Sequence, residues 1–509
     1  MKEYKYVILV QKVRICSKEK FLTSCLRYFY FMDVESLLKY GLSIAQKSGA
    51  SYAEGRYQAD QGEGLMLKNG VPELASHFNN AGISFRVLVD GALGFAATNK
   101  ISKKEVSKVI DMAIKSAKAA SFLFKDKVGL SEEEPKEDKV VIKPRIKFEN
   151  VDQESMIELL READSVALES AGKHEAKLVG RIFFVRSWTT EKRIITTDGI
   201  NVYSFIPRVT FSFYLTALGL NKLASQRFAE KGESGGWEAI EKLDVVHMMK
   251  NEGETLGKLV TQAKSPPKDK LDVVLGSEVV GIVCHESSGH PGEMDRILGR
   301  EAAQAGESYL TKDSLGKVVG SNVVNVVDDP TIPHSFGFYL YDDEGVKARK
   351  RYLIKEGKIN EFLQNRETAF VTGTKSNGAA RASQYNREPI VRMANTYMEP
   401  GDYKFDELLE DIKFGIYIKN FTEWNIDDRR FNQRYVGLES YIIENGELKD
   451  MVRNPVIEMT TIGLFSSVDA VGSDLDFWAA TCGKGDPMQG VPVWTGGPSI
   501  RLRNVNLGG

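Results

Sequence analysis

Two of the chain's six histidines lie five residues apart in Cys284-His285-Glu286-Ser287-Ser288-Gly289-His290-Pro291, with a carboxylate beside the first. Imidazole is a common zinc ligand, and a carboxylate next to such a ligand can act as general base toward a metal-activated water. In the usual helical arrangement the two histidines are at i and i+4, about 40° apart around the axis, so both rings reach one ion. Five residues apart means about 140° on a regular α-helix. Both rings then share a metal only if the helix ends or widens between them. Gly289, followed by His290 and Pro291, predicts a helix terminus at that point, and a π-type distortion would serve equally. On this string alone, a metal pair and two unrelated histidines are both open readings.

A second residue bears on that choice. Cys482 sits in the glycine-rich Thr481-Cys482-Gly483-Lys484-Gly485, where backbone can approach closely and a thiolate can be set against a cation. Two imidazoles and one thiolate would leave Zn²⁺ a fourth position for water, the open geometry of a catalytic site. Glu286 would then be placed to accept that water's proton. Cys482 with His285 or His290 also suits a Cys–His amide hydrolase, which stays open here. Cys284 reads as a buried apolar cysteine, because neighbouring helical residues diverge. His77, His174, His247 and His334 have no ligand-like neighbourhood. Asp328-Asp329 and Asp342-Asp343-Glu344 read as solvated turn and strand-end carboxylates, with metal or substrate binding as the second reading. Gly276 to Gly281 lacks the Gly-Lys-Ser/Thr ending of a phosphate-binding loop.

The elements that must position these residues follow from pattern. The 509 residues predict several domains, and 68 Lys+Arg against 70 Asp+Glu leave no charge that would advertise nucleic acid or an anionic membrane. Four cysteines in so long a chain make no disulfide framework and suggest a reducing, cytoplasmic setting. No apolar run approaches the roughly twenty residues of a membrane helix. Residues 1–32 read as an N-terminal extension, with Met32 as a possible start. Residues 33–265 read as an α+β domain. It opens with a helix around Leu37, Leu38, Leu42 and Ala45, followed by strands at Ser51–Ala59, Gly64–Leu67 and Ile83–Val89. Turns are expected at Asn69-Gly70, Asn79-Asn80 and Asp90-Gly91. Ser102 with Glu105 predicts a capped helix to about Phe124. A loop is expected over 125–147, a helix over 152–171, a β-rich stretch over Leu178–Leu218 and one long helix over 236–264. Ser265-Pro266-Pro267 is the best boundary. Residues 266–509 read as a β-rich catalytic domain. A short helix is expected after Ser277 as N-cap, then strands at Val323–Val327 and Phe336–Tyr341, and a hairpin over Arg351–Leu363. The whole is expected to be an α+β protein of two principal domains.

Several segments together resemble one family. They are His285-Glu286-Ser287-Ser288-Gly289-His290, Asp328-Asp329-Pro330 through Tyr341-Asp342-Asp343-Glu344-Gly345, Gln364-Asn365-Arg366-Glu367-Thr368-Ala369, and Arg392-Met393-Ala394-Asn395-Thr396-Tyr397. Arg453-Asn454-Pro455, Thr481-Cys482-Gly483-Lys484, Val491-Pro492-Val493 and Gly496-Gly497-Pro498 complete the set. In this order, from about Val34 to Leu502, they resemble the TldD/PmbA metallopeptidases on the TldD, catalytic side. The resemblance implies a zinc-dependent peptidase acting on unfolded polypeptides or small peptides. His285, His290 and Cys482 match its metal ligands and Glu286 its general base. It also implies a dimer, with a second copy or with a PmbA-like subunit. A non-catalytic PmbA-like scaffold role is the contrasting expectation, against which the intact two-histidine motif speaks. One departure stands out: Gly485-Asp486-Pro487-Met488-Gln489-Gly490 is about two residues longer than the family's step after Lys484, which bears on loop shape rather than on the ligands.

Overall fold

The computed structural model describes residues 34–123, 126–301 and 306–508. The expected extension 1–32, with Cys16 and Cys25, lies outside the described residues. The first half is organised by strands far longer than their sequence pattern suggests. Tyr52–Lys68 and Val71–Val89 form one hairpin around Asn69-Gly70, both of which take positive φ, as such a turn requires. Asn79-Asn80, expected as a turn, lies inside the second strand, opposite Asp60 and Gln61. Cross-strand pairing on both sides overrides the local turn preference there. The sheet continues in the order Ala92–Thr98, Val71–Val89, Tyr52–Lys68, Lys177–Thr196 and Ile200–Leu218. Lys136–Val141 and Ala224–Ser234 both pair with the last of these. A strand therefore runs through the expected loop 125–147.

Side chains alternate between the two faces of each strand, and here the two faces do different work. One buries Ala53, Tyr57, Ile83, Phe85 and Ile195 under helices Val34–Lys47 and Lys103–Leu123. Further along the same strands, Leu65, Leu67, Phe183, Val185 and Phe211 lie under helices Gln153–Gly172 and Val245–Thr261. The other face is polar yet buried, with Glu54, Arg56, Gln58, Arg86 and Arg208 turned onto the second half of the chain. The helix expected over 236–264 is two helices. Asp244, at φ 47°, ends Glu238–Leu243 and caps Val245–Thr261 by accepting from the His247 N–H.

The second half packs a nine-stranded and a six-stranded sheet around one short helix, Ser277–Cys284. Its cap is Gly276 rather than Ser277. A side chain at Gly276 would meet the Lys419 backbone, so the closest approach decides the residue. Val279, Val280, Val283 and Cys284 are fully buried, as expected of a helix enclosed between two layers. The helix lies against strand Gln489–Gly497, where a Cβ at Gly281 would stand 2.7 Å from the Gly496 nitrogen. Only glycine permits that approach. The hairpin Arg351–Lys355/Lys358–Ile359 forms as expected, whereas Phe336–Tyr341 is a run of turns. Its carbonyls accept from Arg208 instead of joining a ladder.

Candidate metal centre

The awkward histidine spacing is resolved by the backbone. After Cys284 the helix widens into a π-turn over His285–Gly289, and the His290 N–H bonds the His285 carbonyl, an i to i+5 link. This sets the two histidines on one side, with ring centroids 4.9 Å apart and planes at 82°. Pro291 then opens a tight turn, His290–Gly292. Gly289 leaves room between them for Met393, whose sulfur would stand 1.8 Å from a Cβ there, so a larger residue would have to displace that buried side chain. The turn is pinned from outside: Ser287 Oγ donates to Gln433 Oε1 at 2.7 Å, and Tyr435 donates to the same oxygen at 2.6 Å.

Cys482 arrives from the edge strand Asp476–Lys484 of the six-stranded sheet. Its Sγ stands 3.3 Å from His285 Nε2 and 3.4 Å from His290 Nε2, and the three donor atoms all lie within 4.8 Å of one another. All three residues are buried. Tetrahedral coordination at the usual Zn–S and Zn–N lengths, about 2.3 and 2.0–2.1 Å, implies S···N edges of about 3.5 Å. The donor set fits a zinc-sized ion in both spacing and softness. Cys284, by contrast, is buried and burial pushes its thiol up, away from reactivity. Among the described residues no other group of histidine, cysteine and carboxylate converges in this way.

The surroundings favour the thiolate. Burial alone would raise the Cys482 thiol, but His290, Arg392 and His285 outweigh it and hold the group well below the ordinary thiol range. Arg392 also clamps the carbonyls of Cys482 and, at 2.8 Å, Gln489. Burial would lower the His290 imidazole, yet Cys482 and Glu293 raise it. Glu293 Oε2 accepts from His290 Nδ1 at 3.0 Å, which leaves Nε2 facing the sulfur. Glu293 is itself held well below the carboxylate range, burial being outweighed by Lys484, His290 and Arg296. Lys484 stands 3.2 Å from Glu293 and 2.7 Å from Asp295.

Glu286 lies next to the ligands and outside the donor set, buried and ion-paired with Arg430. Arg430 sits on the turn before strand Asn432–Gly437 at φ 62°, a left-handed conformation that costs an arginine about 1–3 kcal/mol. Its carbonyl accepts from Thr461 Oγ1 at 3.0 Å. Sequence reasoning placed His285, Glu286, His290 and Cys482 but missed Glu293, Arg392 and Arg430. Glu293, three residues after His290, was the one with a readable signal; a histidine ligand usually bonds a carboxylate through its other nitrogen.

Asp328, Asp342, Asp343 and Glu344, expected as solvated, are all buried. Asp328 meets Arg351, Asp343 meets Lys192 at 2.7 Å, and Glu344 meets Arg86 at 2.5 Å. The latter two pairs cross between the halves of the chain. Arg366, from another quoted segment, likewise reaches Asp198 at 2.7 Å and the Ser131 carbonyl. Burial is tolerated because each of these paired carboxylates meets a cation.

Three PmbA/TldA metallopeptidase models match the chain: domain 1 over residues 53–117, the central domain over 146–262 and the C-terminal domain over 268–509. The long strands make one sheet across the first two. A metalloprotease of Methanothermobacter thermautotrophicus is 32% identical over 90% of this chain and 95% of its own length. A protein named zinc metalloprotease TldD homolog, from Saccharolobus solfataricus, is 28% identical over 93% and 100%. A crystal structure from Thermotoga maritima matches the fold with a TM-score of 0.74 at 20% identity, covering 94% of this chain and all of that one. On both sequence and fold, the chain belongs to the PmbA/TldA metallopeptidase family.

Proposed function

We propose that this protein is a zinc-dependent peptidase that hydrolyses unfolded polypeptides or small peptides, with Glu286 as general base. The observation that carries the reading is the convergence of His285 Nε2, His290 Nε2 and Cys482 Sγ beside a carboxylate that is not needed as a ligand. Zinc, when held there, lowers the pKa of water and polarises the scissile carbonyl. Glu286 takes one proton from the attacking water and delivers it to the leaving amine nitrogen, so water's oxygen ends on the acyl carbon. Glu293 fixes the His290 ring through Nδ1, and Arg430 fixes the direction of the Glu286 carboxylate. Cys482 lies on an outer strand, so an extended peptide pairing along that edge would bring its backbone past the centre with little demand on sequence. A cytoplasmic dimer, with a second copy or a PmbA-like partner, belongs to the same reading.

A second reading draws on the same atoms: a Cys482 thiolate 3.3–3.4 Å from two imidazoles also suits a Cys–His hydrolase. One experiment separates them. Hydrolysis of a denatured protein should stop on chelation and return with zinc. Hydrolysis that persists in chelator and stops on thiol alkylation would establish the thiol mechanism instead.

A further inference from the structure

Three cations around the metal centre are spent on its scaffold. Arg392 donates to the carbonyls of Cys482 and Gln489. Lys484 bonds Asp295, Glu293 and the Val391 carbonyl, and Arg296 stands 3.3 Å from Glu293. Arg430 is different. Its side chain is only 10% exposed, yet of its guanidinium Nη1 alone is bonded, to Glu286 Oε2. Nε is buried with no partner, and Nη2 has none among the described residues. Leaving such a buried donor unpaired costs a fold about 1–3 kcal/mol. The backbone is also held against its preference. The left-handed Arg430 donates its N–H to the Asp427 carbonyl at 2.9 Å, and Thr461 Oγ1 donates to its carbonyl. The Asp427 carboxylate accepts from the N–H groups of Phe431 and Asn432, at 2.8 and 3.1 Å, and the Phe431 ring packs on Tyr309 with centroids 5.7 Å apart. Strand Asn432–Gly437 follows directly and carries the Gln433 and Tyr435 that pin Ser287. One segment thus fixes both the π-turn that bears Glu286 and the arginine that meets it. Strain that the surroundings over-determine in this way gathers at active sites.

Peptide hydrolysis gives such a donor something to meet. When the water oxygen bonds the acyl carbon, the carbonyl π pair moves onto the carbonyl oxygen, which becomes negative. On collapse that pair re-forms the carbonyl, the C–N pair leaves with the nitrogen, and the nitrogen takes the proton that Glu286 holds. We propose that Arg430 is a second catalytic group, whose unpaired guanidinium N–H groups donate to this oxygen as its charge develops while Nη1 keeps Glu286 in place. Glu286 must reach the attacking water within about 2.6–3.2 Å, so a guanidinium that touches Glu286 is one carboxylate away from the reacting atoms. A donor fixed beforehand, meeting charge only as it forms, stabilises the transition state over the bound peptide. This rests on the peptidase reading above and adds a group that answers the developing charge.

A purely positioning role, exerted through Glu286, is the alternative, and binding separates the two. The test uses full-length, zinc-loaded protein and two probes: a peptide that the wild type cleaves, and the same peptide with a phosphinic group at the scissile bond, whose oxygens carry the tetrahedral charge. In the Glu286→Gln variant no base remains to be positioned. There, Arg430→Gln should weaken the phosphinic peptide roughly 10- to 100-fold, the size of a lost hydrogen bond to a charged group, and the plain peptide less than about 3-fold. Arg430→Lys, which keeps the charge, should retain part of the preference. Zinc content and thermal melting confirm that each variant is intact, and Arg430→Met repeats the comparison where Gln fails to fold. With Glu286 present, Arg430→Gln should lower kcat roughly 10²- to 10³-fold and leave KM nearly unchanged. Phosphinic affinity that ignores Arg430 in the Glu286→Gln background overturns the proposal and leaves a positioning residue. An equal loss for both peptides overturns it as well, in favour of a general binding contact. Either result with a wild type that hydrolyses peptides sinks this inference alone, whereas neither hydrolysis nor binding of either peptide sinks the peptidase reading with it.

Discussion

At the metal centre, His285, His290 and Cys482 bring three lone-pair donors within 4.8 Å of one another. At the junction between the two halves Asp343 and Glu344 meet Lys192 and Arg86, and within the second half Asp328 meets the buried Arg351. Both regions are polar and shielded from water, and desolvation penalises both. They differ in how the penalty is met. These three pairs answer charge with charge from within the chain, which makes them a fastening. The centre leaves its donors facing one another and surrounds them with groups that favour the thiolate, which makes it a receptacle. A buried polar cluster is therefore read by whether its members satisfy one another, not by how many carboxylates or histidines it holds.

This contrast can be broken at either side. The largest effect should come from Glu286→Gln, which removes the base and leaves the ligands: kcat should fall about 10²- to 10⁴-fold with zinc content unchanged, measured by peptide hydrolysis beside metal analysis. A mutant that keeps its activity would refute Glu286 as the general base. Next, Asp328→Asn leaves Arg351 buried without its counter-charge, and the cost should be about 3–5 kcal/mol in urea unfolding. The folded fraction should still bind zinc, because the lesion lies in the fastening. Smaller again is Glu293→Gln, which weakens the hold on His290 Nδ1 and should lower zinc affinity about 10- to 100-fold in a competition titration. Loss of stability without loss of affinity would assign Glu293 to the fastening instead.

The two regions are unequally legible in sequence. The His285/His290 spacing carries its own geometric problem, and the glycine that permits the solution stands between them. Gly289 and Pro291 alone point to a break or widening of the helix there, and the π-turn is the form it takes. Cys482 is reached through the family resemblance, because nothing in spacing ties it to a motif nearly two hundred residues earlier; the sheet edge does that. The Asp342-Asp343-Glu344 run misleads for the same reason. Three adjacent carboxylates read as solvated unless the cations that bury them, Lys192 and Arg86, are known to lie across the junction. The long strands hide their length likewise, since Asn79-Asn80 looks like a turn until Asp60 and Gln61 pair with it. Local pattern shows the helices and the ligand pair. Contacts between distant segments decide the rest.

The most direct test of the central claim is the zinc content of the purified wild type beside Cys482→Ser. The account predicts about one zinc per chain in the wild type, lost on substitution with the fold retained, because the third donor at 3.3 and 3.4 Å from the two imidazoles is gone. Undiminished zinc in Cys482→Ser would contradict it.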